Sequence, residues 1–243
     1  MAAFWCMGRI SQHTLRGRIL VIMGIREGAM MKVAIMPGHG GGNPGVCNGE
    51  VKEMTYNWLE AFWLKQRLES SGQSKVKICR GKDENGSIFL TKMQERANEF
   101  DADICFCLHH NGNNNKVIRG WEVFYYTEKS EKLAEYCRKS FSDKLPINPR
   151  VKQPKRTKKG ENVYNCIYHC TMPTVLLESC YISNDQECLW LINLGWFQIV
   201  NALYAATELF SNHGYTWSES KQKETEITPS GGTYNVGVTP SYY

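Results

Sequence analysis

Two periodicities alternate along this chain. Short continuous apolar runs, at 32–36, 104–108 and 174–177, have the length and character of strands buried on both faces of a sheet. Between them, apolar residues recur at steps of three and four, the helical period. From Glu53 to about Ser71, Met54, Trp58, Ala61, Phe62 and Leu68 form one stripe, which Gly72 terminates. Leu90, Met93, Ala97 and Phe100 mark a second helix over 89–100, and Leu133, Cys137 and Phe141 a third over 128–145. Ile199, Val200, Leu203 and Leu209 or Phe210 mark a last one from about Gly195 to Phe210. Residues 76–80 and 121–126 read as further strands. Asn184, with Glu187 three residues on, reads as a helix start. Strands alternating with helices predict a single α/β domain with a mostly parallel central sheet, flanked by helices on both faces.

The pattern confines this domain to about residues 31–213. Residues 1–30 show no clean period and read as a leader. From Gly214 to Tyr243 the composition shifts to Ser, Thr, Gly, Lys and Glu, which cannot bury enough apolar surface to order itself, so a flexible polar tail is expected. With 243 residues and 42% hydrophobic content, the chain is long enough for one sizeable core. No run of about 18 apolar residues is present, and no membrane span is expected. Residues 16–25 have a very short apolar stretch between Arg18 and Arg26 and no small-residue cleavage site, so no signal peptide is expected either.

Charge and cysteine narrow the picture further. The net charge of +5 suits either a solvated basic face or a polyanionic partner, such as nucleic acid or an acidic wall polymer. Arg150, Lys152, Lys155, Arg156, Lys158 and Lys159 cluster around two prolines and read as a mobile basic loop. Of the ten cysteines, Cys79, Cys105, Cys107 and Cys180 lie in or beside apolar runs, and no Cys-x-x-Cys pair occurs. Synthesis in a reducing cytosol with mostly free thiols is expected.

Chemistry-bearing residues gather where the strands end. The 32–36 run exits into Pro37-Gly38-His39-Gly40-Gly41-Gly42-Asn43-Pro44-Gly45, a strand-to-helix loop, and Glu53 opens the following helix. That edge of an open α/β sheet is where ligands bind. The loop lacks the Gly-Lys-Ser/Thr ending of a phosphate-binding loop. Histidine and carboxylate are both zinc ligands, although an acid in a first helical turn can equally serve the helix dipole alone. The central run ends at His109-His110-Asn111. The third ends at Glu178, a carboxylate that is costly at the end of a buried strand unless paired or used.

Three motifs therefore stand in order: Pro37-Gly38-His39-Gly40-Gly41 with Glu53, Leu108-His109-His110-Asn111, and Val175-Leu176-Leu177-Glu178-Ser179-Cys180-Tyr181-Ile182-Ser183-Asn184. Together they resemble the zinc-dependent N-acetylmuramoyl-L-alanine amidases of the amidase-3 family, whose motifs run D-P-G-H-G-G, a downstream Glu, S-x-H-x-N and L-x-E-x-x-F-I-S-N. Arg80 and the Arg96-Ala97-Asn98 run also fit the family pattern. The likeness covers about residues 32–210. Departures are Met36 for Asp, Cys107 for Ser, His110 at a position usually small, and Tyr181 for Phe.

The resemblance implies Zn2+ held by His39, Glu53 and His109, with Glu178 as the catalytic acid/base. His109 is the histidine aligned with the motif, and strand alternation sends His110 to the opposite side. The implied reaction is hydrolysis of the amide between N-acetylmuramic acid and L-alanine in peptidoglycan, so the polyanionic partner would be cell wall and not nucleic acid. The lack of a clear signal peptide and the free thiols fit synthesis in the cytoplasm and action at the bacterial cell wall, as for a phage endolysin. Two other functions share parts of this pattern: a zinc peptidase or carboxypeptidase acting on the stem peptide, and a non-catalytic cell-wall-binding module.

Overall fold

The first strand forms where the sequence places it, because Val33–Met36 are wholly buried between two helical layers. The structure, a computed structural model, describes residues 30–82, 84, 90–158 and 162–213. Nearly all of the expected leader, and the whole of the expected tail, lie outside those residues. In chain order the elements are β1 (Met31–Pro37), β2 (Cys47–Asn48), β3 (Val51–Lys52), α1 (Glu53–Ser70), β4 (Ser74–Ile78), α2 (Leu90–Glu99) and β5 (Ile104–Asn111). They continue with β6 (Glu122–Tyr125), α3 (Glu128–Lys144), β7 (Lys155–Arg156), a 3-10 segment (Asn162–Ile167), β8 (Thr174–Tyr181), α4 (Asp185–Trp190) and α5 (Trp196–Asn212).

Six strands form one sheet in the order β4-β1-β5-β8-β6-β7. The pairs among β4, β1, β5 and β8 are all parallel, and β6 lies antiparallel to β8. This is the expected mostly parallel architecture. Alternation along the strands builds two cores. Val33, Ile35, Phe106, Leu108, Val175 and Leu177 face Leu64 of α1, Leu133 and Phe141 of α3 and Leu203 of α5. On the other side, Met36, Cys105, Cys107 and Leu176 face Met93 of α2 and the segment carrying Cys166 and Met172. All nine described cysteines are free thiols, eight of them buried.

The structure corrects three details. The second predicted strand occupies Ser74–Ile78 instead of 76–80. Arg80 has left the ladder, and its Nε donates to the Pro37 carbonyl at 3.0 Å. On α1, Phe62 was expected inward but is 41% exposed, while Asn57 and Glu60 are wholly buried. Their burial is explained by partners at the site described below. The basic loop is partly ordered, since Lys155 and Arg156 pair with Phe124 and Tyr125 as the edge strand β7.

Residues Asp185–Asn212 together are long and apolar enough to match a bilayer. However, the run kinks at Asn193 and Leu194, where Leu194 has φ 81°. Its apolar face, including Ile199, Leu203 and Phe210, is part of the core packed on α1 and α3. These contacts are those of a core helix.

Candidate metal centre and active site

The site is assembled at the carboxyl ends of β1, β5 and β8. After β1 the chain turns sharply. His39 sits in the left-handed region at φ 59°, a cost of order 1–3 kcal/mol for a non-glycine residue. The surrounding structure holds it there: His39 Nδ1 meets Asn43 Oδ1 at 3.2 Å, and Gly40 and Asn43 exchange backbone hydrogen bonds. Gly38 is required by close approach, because a Cβ there would lie 2.2 Å from His109 Cε1.

Glu53, 1% exposed at the start of α1, binds both histidines. His39 Nε2 lies 3.1 Å from Glu53 Oε2, and His109 Nδ1 lies 3.0 Å from Oε1. The two imidazole rings meet edge to face with centroids 5.0 Å apart. The candidate ligand atoms of His39, Glu53 and His109 all lie within 4.8 Å of one another. Two backbone amides hold the carboxylate: Val46 N–H donates to Oε2 and His110 N–H donates to Oε1, both at 2.9 Å. Burial alone would push the Glu53 carboxyl up, but hydrogen bonds and charge from His109 and His39 hold it well below the usual carboxylate range. Burial likewise opposes charging of His109, while Cys166 and Glu53 raise its pKa well above the ordinary imidazole value. A preformed anionic carboxylate between two imidazoles is a donor set suited to zinc.

Glu178 stands across the β5–β8 ladder, paired in register with His109 on one side and with Glu122 on the other. Its Oε2 is buried and accepts no hydrogen bond among the described residues. Burial raises its pKa to about 8; His109 opposes the rise, and Glu53, Cys166 and Glu122 add to it. A carboxyl poised near neutrality beside a metal donor set has the properties of a proton-transfer group.

His110 points to the other face, as strand alternation requires. Its Nδ1 lies 2.9 Å from Asn57 Oδ1 and its Nε2 3.2 Å from Glu60 Oε1. The Asn57 amide nitrogen donates to the Gly38 carbonyl at 3.1 Å and lies 3.4 Å from Glu53 Oε1. Asn57 Oδ1 therefore accepts, and His110 Nδ1 must donate. Glu60, wholly buried, has its pKa raised by burial, with His110 opposing. A chain of polar groups thus runs from Glu60 through His110 and Asn57 to Glu53 and the His39 loop. Asn57 and Glu60 had no sequence signal, because inward-facing polar residues erase the apolar stripe.

Two further features were not legible. Glu122, 3% exposed, accepts from Lys155 at 2.5 Å, Tyr181 Oη at 3.0 Å and Asn111 at 3.2 Å, with Arg150 3.7 Å away. Two members of the basic loop are thereby tied down beside Glu178. Cys166, whose segment lies far along the sequence, packs on His109 and Cys107. Contact with Cys107 lowers its thiol pKa to about 6 against the cost of burial, and His109 assists.

The chain matches the sequence profile described as N-acetylmuramoyl-L-alanine amidase over residues 33–208. It is 24% identical over 188 residues to the N-acetylmuramoyl-L-alanine amidase CwlM of Bacillus licheniformis, covering 75% of this chain and 71% of that one. In three dimensions it is similar to the catalytic domain of CwlV, an N-acetylmuramoyl-L-alanine amidase of Bacillus (Paenibacillus) polymyxa, with a TM-score of 0.68 at 22% identity over 75% of this chain and 99% of that one. The N-acetylmuramoyl-L-alanine amidase of Clostridium difficile 630 gives a TM-score of 0.69 at 21% identity, over 77% and 100% of the two chains. With the profile spanning well over half of its length, the chain belongs to the N-acetylmuramoyl-L-alanine amidase family.

Proposed function

We propose that this amidase is zinc-dependent and cleaves the amide bond joining the lactyl group of N-acetylmuramic acid to L-alanine in peptidoglycan. His39, Glu53 and His109 hold the ion, and Glu178 is the acid/base. The observation that carries this reading is the convergence of three donors, from the loop after β1, from α1 and from β5, within 4.8 Å, with Glu178 paired across the ladder with His109 and its buried Oε2 without a hydrogen-bond partner among the described residues.

When bound, zinc supplies a Lewis acid that polarises the scissile carbonyl and acidifies water. The work of the protein lies in position and proton transfer. Gly38 leaves room for the His109 ring, and the Val46 and His110 amides fix the Glu53 carboxylate. Glu178 takes a proton from the attacking water and returns it to the departing amine of L-alanine. Burial favours the protonated form of the carboxyl, which lets it hold that proton between the two steps. Free thiols accord with cytoplasmic synthesis, and the exposed basic residues of the 150–158 loop with attraction to an anionic wall at the site of action.

The test uses the full chain on purified wall sacculi. Chelation should abolish release of stem peptides and zinc should restore it. The products should be intact stem peptides with new L-alanine amino termini. New termini within the stem peptide would instead favour the peptidase reading. Wall binding with no metal-dependent product would leave only a binding module.

A further inference from the structure

Beside the first donor set lies a second one, which shares His109 with it and adds two thiols that the proposed hydrolysis does not use. On β5, Cys105, Cys107 and His109 alternate onto one face, and the segment ending at Ile167 brings Cys166 over them. The sulfurs of Cys107 and Cys166 and a ring nitrogen of His109 lie within 4.8 Å of one another. Cys107 is 0% exposed and Cys166 3% exposed. The wall around them is rich in sulfur, with Met36, Met93, Cys105, Cys170 and Met172 in the same cluster. Where the family motif has serine, this chain has Cys107, so the arrangement follows from one departure in the motif that also carries His109.

We propose that Cys107, Cys166 and His109 form a second cation site, selective for a thiophilic ion such as Cd2+ or Cu+, and that filling it withdraws His109 from the His39–Glu53–His109 set. The two sites differ in donor softness, so a strongly thiophilic ion gains more from the second than from the first. Two thiolates and an imidazole make a soft donor set, whereas the first set offers only nitrogen and oxygen. Coordination forms two metal–sulfur bonds and one metal–nitrogen bond, and every proton still held by the three donor atoms passes to solvent. A neutral imidazole has one nitrogen lone pair to give, so His109 serves one ion at a time. The inhibitory consequence rests on the zinc amidase reading, whereas the cation site itself does not.

The test titrates the metal-free full chain with cadmium chloride and follows the near-ultraviolet thiolate-to-cadmium absorption. One ion per chain should saturate the band. Cys107→Ser and Cys166→Ser should each lose the band and bind cadmium at least 10- to 100-fold more weakly, while Cys105→Ser should keep it. Cys107→Ala, checked by thermal melting, guards against a buried hydroxyl that merely unfolds the site. On the zinc-loaded chain, one equivalent of cadmium should abolish turnover in the wild type. It should leave Cys107→Ser at its own cadmium-free rate. A band that survives both single substitutions, or is absent from the wild type, overturns the site. A wild type that shows the full band while still hydrolysing wall overturns the sharing of His109. A full band on a chain that never hydrolyses wall supports the cation site and sinks the proposed function instead.

Discussion

Replacing Glu178 by Gln should exchange catalysis for stability, in a way that depends on pH. In the folded, metal-free chain the Glu178 carboxyl titrates at about 8 against an ordinary 4.5, chiefly because burial penalises its ionised form. Folding therefore tightens its hold on the proton. The stabilisation is complete below the unfolded value of 4.5 and is lost as pH rises through about 8. At about 1.36 kcal/mol for each tenfold, the loss has an upper bound of roughly 5 kcal/mol. Glutamine is neutral throughout and escapes it. Its amide nitrogen needs a partner that Oε2 lacks, which costs about 1–3 kcal/mol at every pH. Metal-free Glu178→Gln should thus be less stable than wild type by about 1–3 kcal/mol near pH 4 and more stable by about 2–4 kcal/mol near pH 9. In thermal melts of the chelated proteins the alkaline advantage corresponds to roughly 4–16 °C in Tm. With zinc restored, turnover should fall by about 10²- to 10⁴-fold while the metal stays bound. A Tm difference that stays constant from acid to alkali would refute the reasoning, since only a titrating group at this position can produce the crossover.

Three further outcomes follow from the geometry. Gly38→Ala places a methyl 2.2 Å from His109 Cε1; displacing the ring should cost about 10²-fold in turnover and loosen zinc in equilibrium dialysis, with an unchanged circular dichroism spectrum. His110→Ala leaves Glu60 buried without its partner and should lower stability in urea unfolding by about 3–5 kcal/mol, whereas His110→Phe combined with Glu60→Leu should recover most of that loss. His39→Ala should abolish zinc retention after dialysis, measured as metal per chain, without lowering helix content.

The fold, and the gathering of His39, His109 and Glu178 at one sheet edge, were legible because both are governed by strand ends. His109 and Glu178 follow an apolar run directly and His39 lies three residues past one, so their position at the sheet edge needs only the recognition of a strand. Glu53 was ambiguous on its own, since a first-turn acid usually faces water. Its burial became evident only from partners that lie far along the chain. The face of α1 was misread at Phe62 because its true inner surface begins with Glu53, Asn57 and Glu60, whose burial depends on His110 and Gly38 across the sheet. Arg80 was placed in a strand on local character, yet its side chain satisfies the carbonyls of Pro37 and Gly81 and draws the backbone out of the ladder. Cys166 gave no signal, because nothing local to its segment records that it lands on His109.

Two neighbouring histidines on β5 serve opposite layers of the molecule, one at the proposed zinc site and the other in a buried polar relay. Such a strand behaves as though it had a reading frame. Losing a single residue between Cys105 and His109 would exchange the two imidazoles while leaving composition nearly untouched. Libraries built on this scaffold should therefore accept substitutions in β5 far more readily than insertions or deletions.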